Sequence, residues 1–257
     1  MTSFSLIRAV RDNLYRSMGK PSIVVLDGIK IAIDPAVVPR AISKAIARGD
    51  YELPERVAVK RMLRSGDAIL EMGGGIGIVS ITAAQITGPG RVHVFEPQPE
   101  ACSLIERNAT LNGVKIICRN SAVGTKSGKR SFFHSANIIS SSFLDRRGTS
   151  KHAVDVVDVD VIAIDELMRT LQPNVLISDI EGAEIEVFDK FNFASIDVVI
   201  IEMHPHIVGA IAVEVLATKM REQGLKEVLT LRSGNTHVYS REREPARSSV
   251  FEKLPAS

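Results

Sequence analysis

The sequence predicts an α/β fold: a mostly parallel twisted sheet with helices on both faces, an antiparallel C-terminal strand, and an N-terminal helix/hairpin extension. Two observations carry this. From Asp67 onward, short apolar runs of strand length alternate with stretches of helical length, which is the pattern of βαβ units. The last two strand-like runs, "KEVLTL" and "THVYSR", have no helix between them, so they can pair antiparallel. The spacing predicts strands over 67–72, 91–96, 114–119, 174–179 and 197–202. Helices fall over 76–86, 98–112, 183–190 and 208–223.

Ahead of this core, Phe4, Ile7, Val10 and Leu14 recur at helical spacing. "SIVVLDGIKIAID" then reads as two strands joined by Asp27-Gly28, a hairpin signal. Residues 39–63 read as two helices broken around Gly49 and Pro54. The chain thus divides into an N-terminal cap over 1–63, a main domain over 64–245 and a tail over 246–257. One interruption stands out. Between 120 and 163 the helix expected after the third strand gives way to hairpin-like and Ser-rich sequence. It is either a polar loop beside the carboxyl ends of the strands, where open α/β sheets bind ligands, or a tolerated surface insertion.

A chain of 257 residues with 45% hydrophobic and 24% charged residues has the make-up of an ordinary soluble domain. The net charge of +2 gives no concentrated basic stripe, which argues against nucleic acid as partner. Basic residues gather near the start and at Arg241, Arg243 and Arg247, and read as solvated surface. No run has the length and apolarity of a membrane span, the first residues lack a signal-peptide core, and the two cysteines suggest neither a metal site nor a disulfide framework. A cytoplasmic location is expected. Nothing in the sequence sets an oligomeric state.

The stretch "EMGGGIG" carries the main chemical signal. The dinucleotide fingerprint G-x-G-x-x-G fails, because its third position counted from Gly73 is Ile78. The spacing that fits is acidic-x-G-x-G-x-G, made by Glu71, Gly73, Gly75 and Gly77, the first motif of S-adenosylmethionine-dependent methyltransferases. Glycines there let backbone approach a cofactor that lacks phosphate, and Glu71 can accept from its cationic amino end. Glu96 closes the second strand, where an acid can take both ribose hydroxyls. Asn120, Ser121 and Ala122 fall where a loop would lie along the adenine edge.

On the next two strand tips, Asp179 and Glu181 are joined by Glu202 and His204, and like-charged carboxylates gather there at a cost. No Pro-Pro-aromatic signature of base amino-methylation follows Asp179, and Cys102 and Cys118 fall inside predicted elements as buried core rather than as nucleophiles. The acids favour an oxygen acceptor, with His204 as general base near neutral pH and Asp179 orienting substrate or His204. A His followed by Pro205 can equally just end a strand. No metal is predicted, since the ligand spacing matches no distinctive motif, although Asp179, Glu181 and His204 could hold Mg²⁺.

The chain resembles the FkbM family of methyltransferases. The carrying stretches, in order, are "GDAILEMGGGIGIVSI", "VHVFEPQPEACSLIERNATLNG", "NSAVG", "LISDIEGAEIEVF" and "VVIIEMHP", with "RGDYELPE" ahead of them. The resemblance implies a Rossmann-like methyltransferase fold, S-adenosylmethionine as cofactor, and methyl transfer to a hydroxyl of a sugar, glycan or natural-product-like small molecule. It carries Glu71, Gly73, Gly75, Gly77 and Glu96 over as cofactor residues, and Asp179 and Glu181 as the acidic motif after the fourth strand. Ile177 departs from the pattern, which often has lysine there. An NAD(P)-dependent oxidoreductase and a non-catalytic cofactor-binding protein are the alternatives.

Overall fold

The computed structural model describes residues 22–35, 37–135 and 154–246. The helix expected over 4–17, the middle of the 120–163 insertion and nearly all of the tail lie outside the described residues. The chain opens with a hairpin, β1 (Ser22–Leu26) and β2 (Ile29–Ile33), turned by Asp27 and Gly28 with φ of 53° and 82°, the left-handed pair that a two-residue hairpin needs. Two helices follow, α1 (Arg40–Arg48) and α2 (Leu53–Met62). Gly49 ends α1 in the left-handed region. Pro54, expected to break a helix, instead sits in the first turn of α2, where its missing N–H has no intrahelical partner to lose.

The main sheet is built from β3 (Ile69–Met72), β4 (Val92–Phe95), β5 (Ile116–Arg119), β9 (Val175–Ser178), β10 (Val198–Glu202), β11 (Lys226–Glu227) and β12 (Thr236–Ser240). Its order is β11–β12–β10–β9–β3–β4–β5. The strands from β5 to β10 are parallel, and β12 pairs antiparallel with β10 and β11. Connecting helices are α3 (Ile78–Thr87), α4 (Pro99–Leu111), α5 (Ile164–Leu171), α6 (Glu184–Phe188), α7 (Pro205–Val208) and α8 (Ala210–Glu222). The helix expected over 208–223 is interrupted at Gly209, whose φ is 87°. The last expected strand, "KEVLTL", is shorter than read. After Glu227 the Leu231 N–H bonds back to Val228 O, a 3₁₀ turn that buries Leu231 and leaves Leu229 exposed.

Strand periodicity explains the two cores. Ile69, Val175, Ile177, Val198 and Ile200 face one side and pack with the hairpin, α1 to α4 and β12. Their neighbours Leu70, Met72, Leu176, Val199 and Ile201 face the other, against Phe188, Phe191, Phe193, Leu216 and Met220. Because Leu26, Ile31, Ile42 and Val59 belong to the first core, residues 22–63 share one hydrophobic interior with the sheet. Helix α4 also completes the exposed edge of β2: Asn112 exchanges hydrogen bonds with Lys30 backbone, and Asn108 Oδ1 accepts from Ala32 N at 2.8 Å. In place of a helix after β5 comes a second sheet, ordered β6 (Ala122–Gly124), β8 (Val154–Ala163), β7 (Gly128–Ser135).

Two expectations change here. Arg241 and Arg243 are structural rather than solvated. Arg241 donates to the carbonyls of Ile196, Gln223 and Phe193, and Arg243 forks onto Asp67 at 2.6 and 3.0 Å with its side chain 9% exposed. The two cysteines, read as separate core residues, lie side by side, Cys102 Sγ 2.6 Å from Cys118 Sγ.

Candidate active site

From β3 the chain winds outward through β4 to β5, then returns to β9 on the other side of β3. The carboxyl ends of β3 and β9 therefore flank a switch point, where open α/β sheets form a crevice. A cavity of about 450 Å³ lies there. Glu71, Gly73, Gly74, Gly75, Glu96, Ile177, Asp179, Glu181 and Glu202 line its floor, with Tyr51, Glu52, Glu55 and residues 233–236 above.

The glycines divide their work. A Cβ on Gly73 would stand 1.9 Å from the Asp179 carbonyl oxygen, so this glycine lets the tips of β3 and β9 meet. A Cβ on Gly74 would strike Val94 and Ile105 at 2.5 and 2.7 Å, and one on Gly77 would press Ile105 at 3.2 Å. Gly77 caps α3 in the left-handed region and is not part of the cavity wall. On Gly75 a Cβ would point into the cavity, meeting Glu52 Oε1 and the Tyr51 hydroxyl at 3.1 Å. Of the three glycines expected to approach a ligand, Gly73 and Gly75 line the cavity and Gly77 does not, and Gly73 also serves packing of the loop.

Glu96 is 4% exposed and fixed by three backbone N–H groups: Gly74 at 3.1 Å and Gly75 at 3.3 Å on Oε2, Gln98 at 3.0 Å on Oε1. Burial pushes its carboxyl up to about 7 against those hydrogen bonds. Burial pushes Glu71 and Glu52 up to about 8 each, and each leaves a buried Oε2 without a hydrogen-bond partner. Of the expected adenine-edge residues, Ala122 lines the cavity and Asn120 and Ser121 do not. Asn120 instead donates to the carbonyls of Glu96 and Pro97, bracing the loop that carries Glu96.

The acidic rim assembles as the spacing implied. His204 Nε2 lies 3.5 Å from Asp179 Oδ1 and 3.9 Å from Glu181 Oε2, and Nδ1 is 3.4 Å from Glu184 Oε1. Burial opposes the imidazolium, but Glu184, Glu181 and Glu202 outweigh it, so His204 titrates above its usual value. Burial and the neighbouring Glu202, Glu181 and Glu184 drive Asp179 well above the carboxylate range. His204 is 4% exposed and absent from the cavity wall; it stands behind the two carboxylates. Glu184 is 1% exposed and accepts from Ile180 N and Gly182 N at 2.8 Å each.

A family model described as the Methyltransferase FkbM domain matches residues 73–227, more than half the chain. The chain belongs to the FkbM methyltransferase family. No curated protein sequence matches it. Among solved structures, it is similar to a ribosomal protein L11 methylase from Lactobacillus delbrueckii subsp. bulgaricus (12% identity, TM-score 0.46, 82% of this chain and 84% of that one). It is also similar to M. jannaschii TYW2, solved with AdoMet (16% identity, TM-score 0.45, 90% and 89% covered). Another is a putative rRNA methylase from Clostridium thermocellum (8%, TM-score 0.44, 76% and 94%).

For this FkbM domain, sequence reading missed the upper wall. Tyr51, Glu52 and Glu55 come from the segment before the family match, and only "RGDYELPE" hinted at them. They are held by Arg56, fully buried, which pairs with Asp27 of the hairpin turn and donates to Gly49 O at 2.7 Å and Tyr51 O at 2.9 Å. Among the described residues no helix is long and apolar enough to cross a membrane.

Proposed function

We propose that the protein is an S-adenosylmethionine-dependent O-methyltransferase acting on a neutral hydroxyl of a sugar, glycan or related small molecule. One observation carries the reading: the glycine loop, Glu96 and the acidic rim face a single cavity. The cavity suits the cofactor. The orphaned oxygens of Glu71 and Glu52 answer an ammonium group, and Glu96, anchored by backbone, answers a ribose diol. When bound, the cofactor supplies a methyl group on a sulfonium that is already a good leaving group. The chain's own task is to align the acceptor oxygen against it and exclude water, and to relieve the hydroxyl of its proton beside Asp179 and Glu181.

The same geometry speaks against NAD(P). Glu96 Oε2 already occupies the Gly74 and Gly75 N–H groups, so the loop offers no free amides there to a pyrophosphate. Charge narrows the acceptor too. The described cavity wall contains Glu52, Glu55, Glu71, Glu96, Asp179, Glu181 and Glu202, with no Lys or Arg. A phosphorylated acceptor or nucleic acid would find no cation there to pair with. An amine acceptor needs none, and that observation keeps N-methylation as a second reading.

The test is calorimetric titration with S-adenosylmethionine, S-adenosylhomocysteine and NAD, repeated with Glu96→Ala. The expected result is micromolar binding of both adenosyl ligands, weakened at least about tenfold by the substitution, since a lost hydrogen bond to a charged group costs about 1.5–3 kcal/mol. Binding of NAD alone would overturn the reading. A screen of matched neutral, amino and phosphorylated sugars then separates the acceptor classes, with turnover expected for the first.

A further inference from the structure

We propose that Asp179, Glu181 and His204 form a three-ligand site for one divalent metal ion, which takes over from His204 the task of activating the acceptor hydroxyl. One donor atom from each residue lies within 4.8 Å of the others. The contacts of His204 Nε2 with Asp179 Oδ1 and Glu181 Oε2, at 3.5 and 3.9 Å, are long for hydrogen bonds. They suit donors around an ion. Ligands about 2.0–2.2 Å from a shared metal stand roughly 3.0–3.5 Å apart between octahedral and tetrahedral angles, and the two His204 contacts lie at or just beyond that spacing.

Three further observations point the same way. The His204 ring is 4% exposed and Nε2 is aimed between two carboxylates. Behind the ring, Glu184 is clamped by Ile180 N and Gly182 N and offers Oε1 to Nδ1 at 3.4 Å. Metal-ligating histidines are commonly oriented in this way, their second nitrogen turned to a fixed carboxylate. Asp179 Oδ1 is itself buried without a hydrogen-bond partner.

One imidazole and two carboxylates make a mixed nitrogen–oxygen set, suited to a transition ion such as Mn²⁺ better than to an all-oxygen cage. Asp179 and Glu181 line the cavity and His204 closes the site from behind, so the remaining coordination positions open toward the acceptor. A hydroxyl oxygen bound there loses its proton to water more readily. Its lone pair forms the new carbon–oxygen bond as the carbon–sulfur bond breaks, and that electron pair stays on sulfur as a neutral thioether. This last part rests on the methyl-transfer reading; the ion site does not.

The experiment is titration of the full chain with Mn²⁺ alone, free ion being read by electron paramagnetic resonance, beside S-adenosylhomocysteine titrations of the same samples. One Mn²⁺ per chain with micromolar affinity is expected, weakened at least tenfold in His204→Ala and in Glu181→Gln. Should His204→Ala not fold, Glu181→Gln, on a turn, carries the comparison. Absence of Mn²⁺ binding up to millimolar concentration, or binding unchanged in Glu181→Gln, would overturn the site. If adenosylhomocysteine still binds in that case, the ion falls and the methyltransferase reading stands.

Discussion

At the residue scale, the glycine loop shows how one motif can serve two masters. Gly73 lets two strand tips approach, while Gly75 faces the cavity. Gly73→Ala is therefore expected to cost more than about 4 kcal/mol, the range of severe steric and backbone conflict. Gly75→Ala should cost only about 1–2 kcal/mol for its left-handed backbone while weakening S-adenosylhomocysteine binding. Urea unfolding of both variants checks this, and equal destabilisation would sink the division of roles. The orphaned carboxyls give a second prediction. Glu71 and Glu52 titrate near 8 in the ligand-free protein, and an ammonium beside them favours the carboxylate. Cofactor binding at pH 7 should therefore release protons, and affinity should rise between about pH 6 and 8. Calorimetry in buffers of different ionisation enthalpy measures the release; proton uptake would contradict the assignment.

At the element scale, segments remote in sequence carry the cavity. The hairpin turn holds Arg56 through Asp27, where Lys60 and Arg56 overcome the effect of burial and keep the carboxyl below its usual value. Arg56 in turn fixes the backbone at Gly49 and Tyr51. At the amino ends of the parallel strands, away from the cavity, Arg243 ties the chain after β12 to Asp67 ahead of β3, and Asn174 bridges Asp67 and Asp197. Removing one partner of a buried pair leaves the other charge without compensation, at a cost of about 3–5 kcal/mol. Arg243→Ala is expected to fall in that range by denaturant unfolding. Asp67→Asn should do likewise, with the double variant costing much less than the sum; simple additivity would show that the pair does not act as a unit.

At the scale of the whole molecule, the cavity's charge sets the pH dependence of stability. Glu52, Glu71 and Glu96 have folded-state values raised above those of an unfolded chain. Their contribution is fully present below the unfolded value and is lost as pH rises through 7 to 8. Asp27 and Asp67 are lowered, so their contribution is present above the unfolded value and is lost in acid. The ligand-free protein should melt highest between about pH 5 and 6.5 and lower at pH 9, with S-adenosylhomocysteine reducing the alkaline loss. A melting temperature that climbs steadily to pH 9 would show that these carboxyls are not buried as charged groups.

What the sequence determined by itself was local or periodic. Alternating apolar runs with intervening helices set the parallel core, because strand and helix periods repeat within a few residues and need no distant partner. Asp27-Gly28 set the hairpin, since a left-handed pair in a two-residue turn is local chemistry. The spacing of Glu71, Gly73, Gly75 and Gly77 pointed to the cofactor, the ordered stretches from Gly66 to Pro205 carried the family resemblance, and Asp179, Glu181 and His204 came together because adjacent parallel strands end at one edge of the sheet. Tertiary structure decided what depends on contacts far apart in the chain. It assigned Gly73 to packing, placed His204 behind the carboxylates instead of on the cavity wall, turned Arg241 and Arg243 inward, and brought Tyr51, Glu52 and Glu55 over a cleft that begins twenty residues later. A side chain's burial and partners are set by whatever elements close around it, and no local pattern encodes that enclosure.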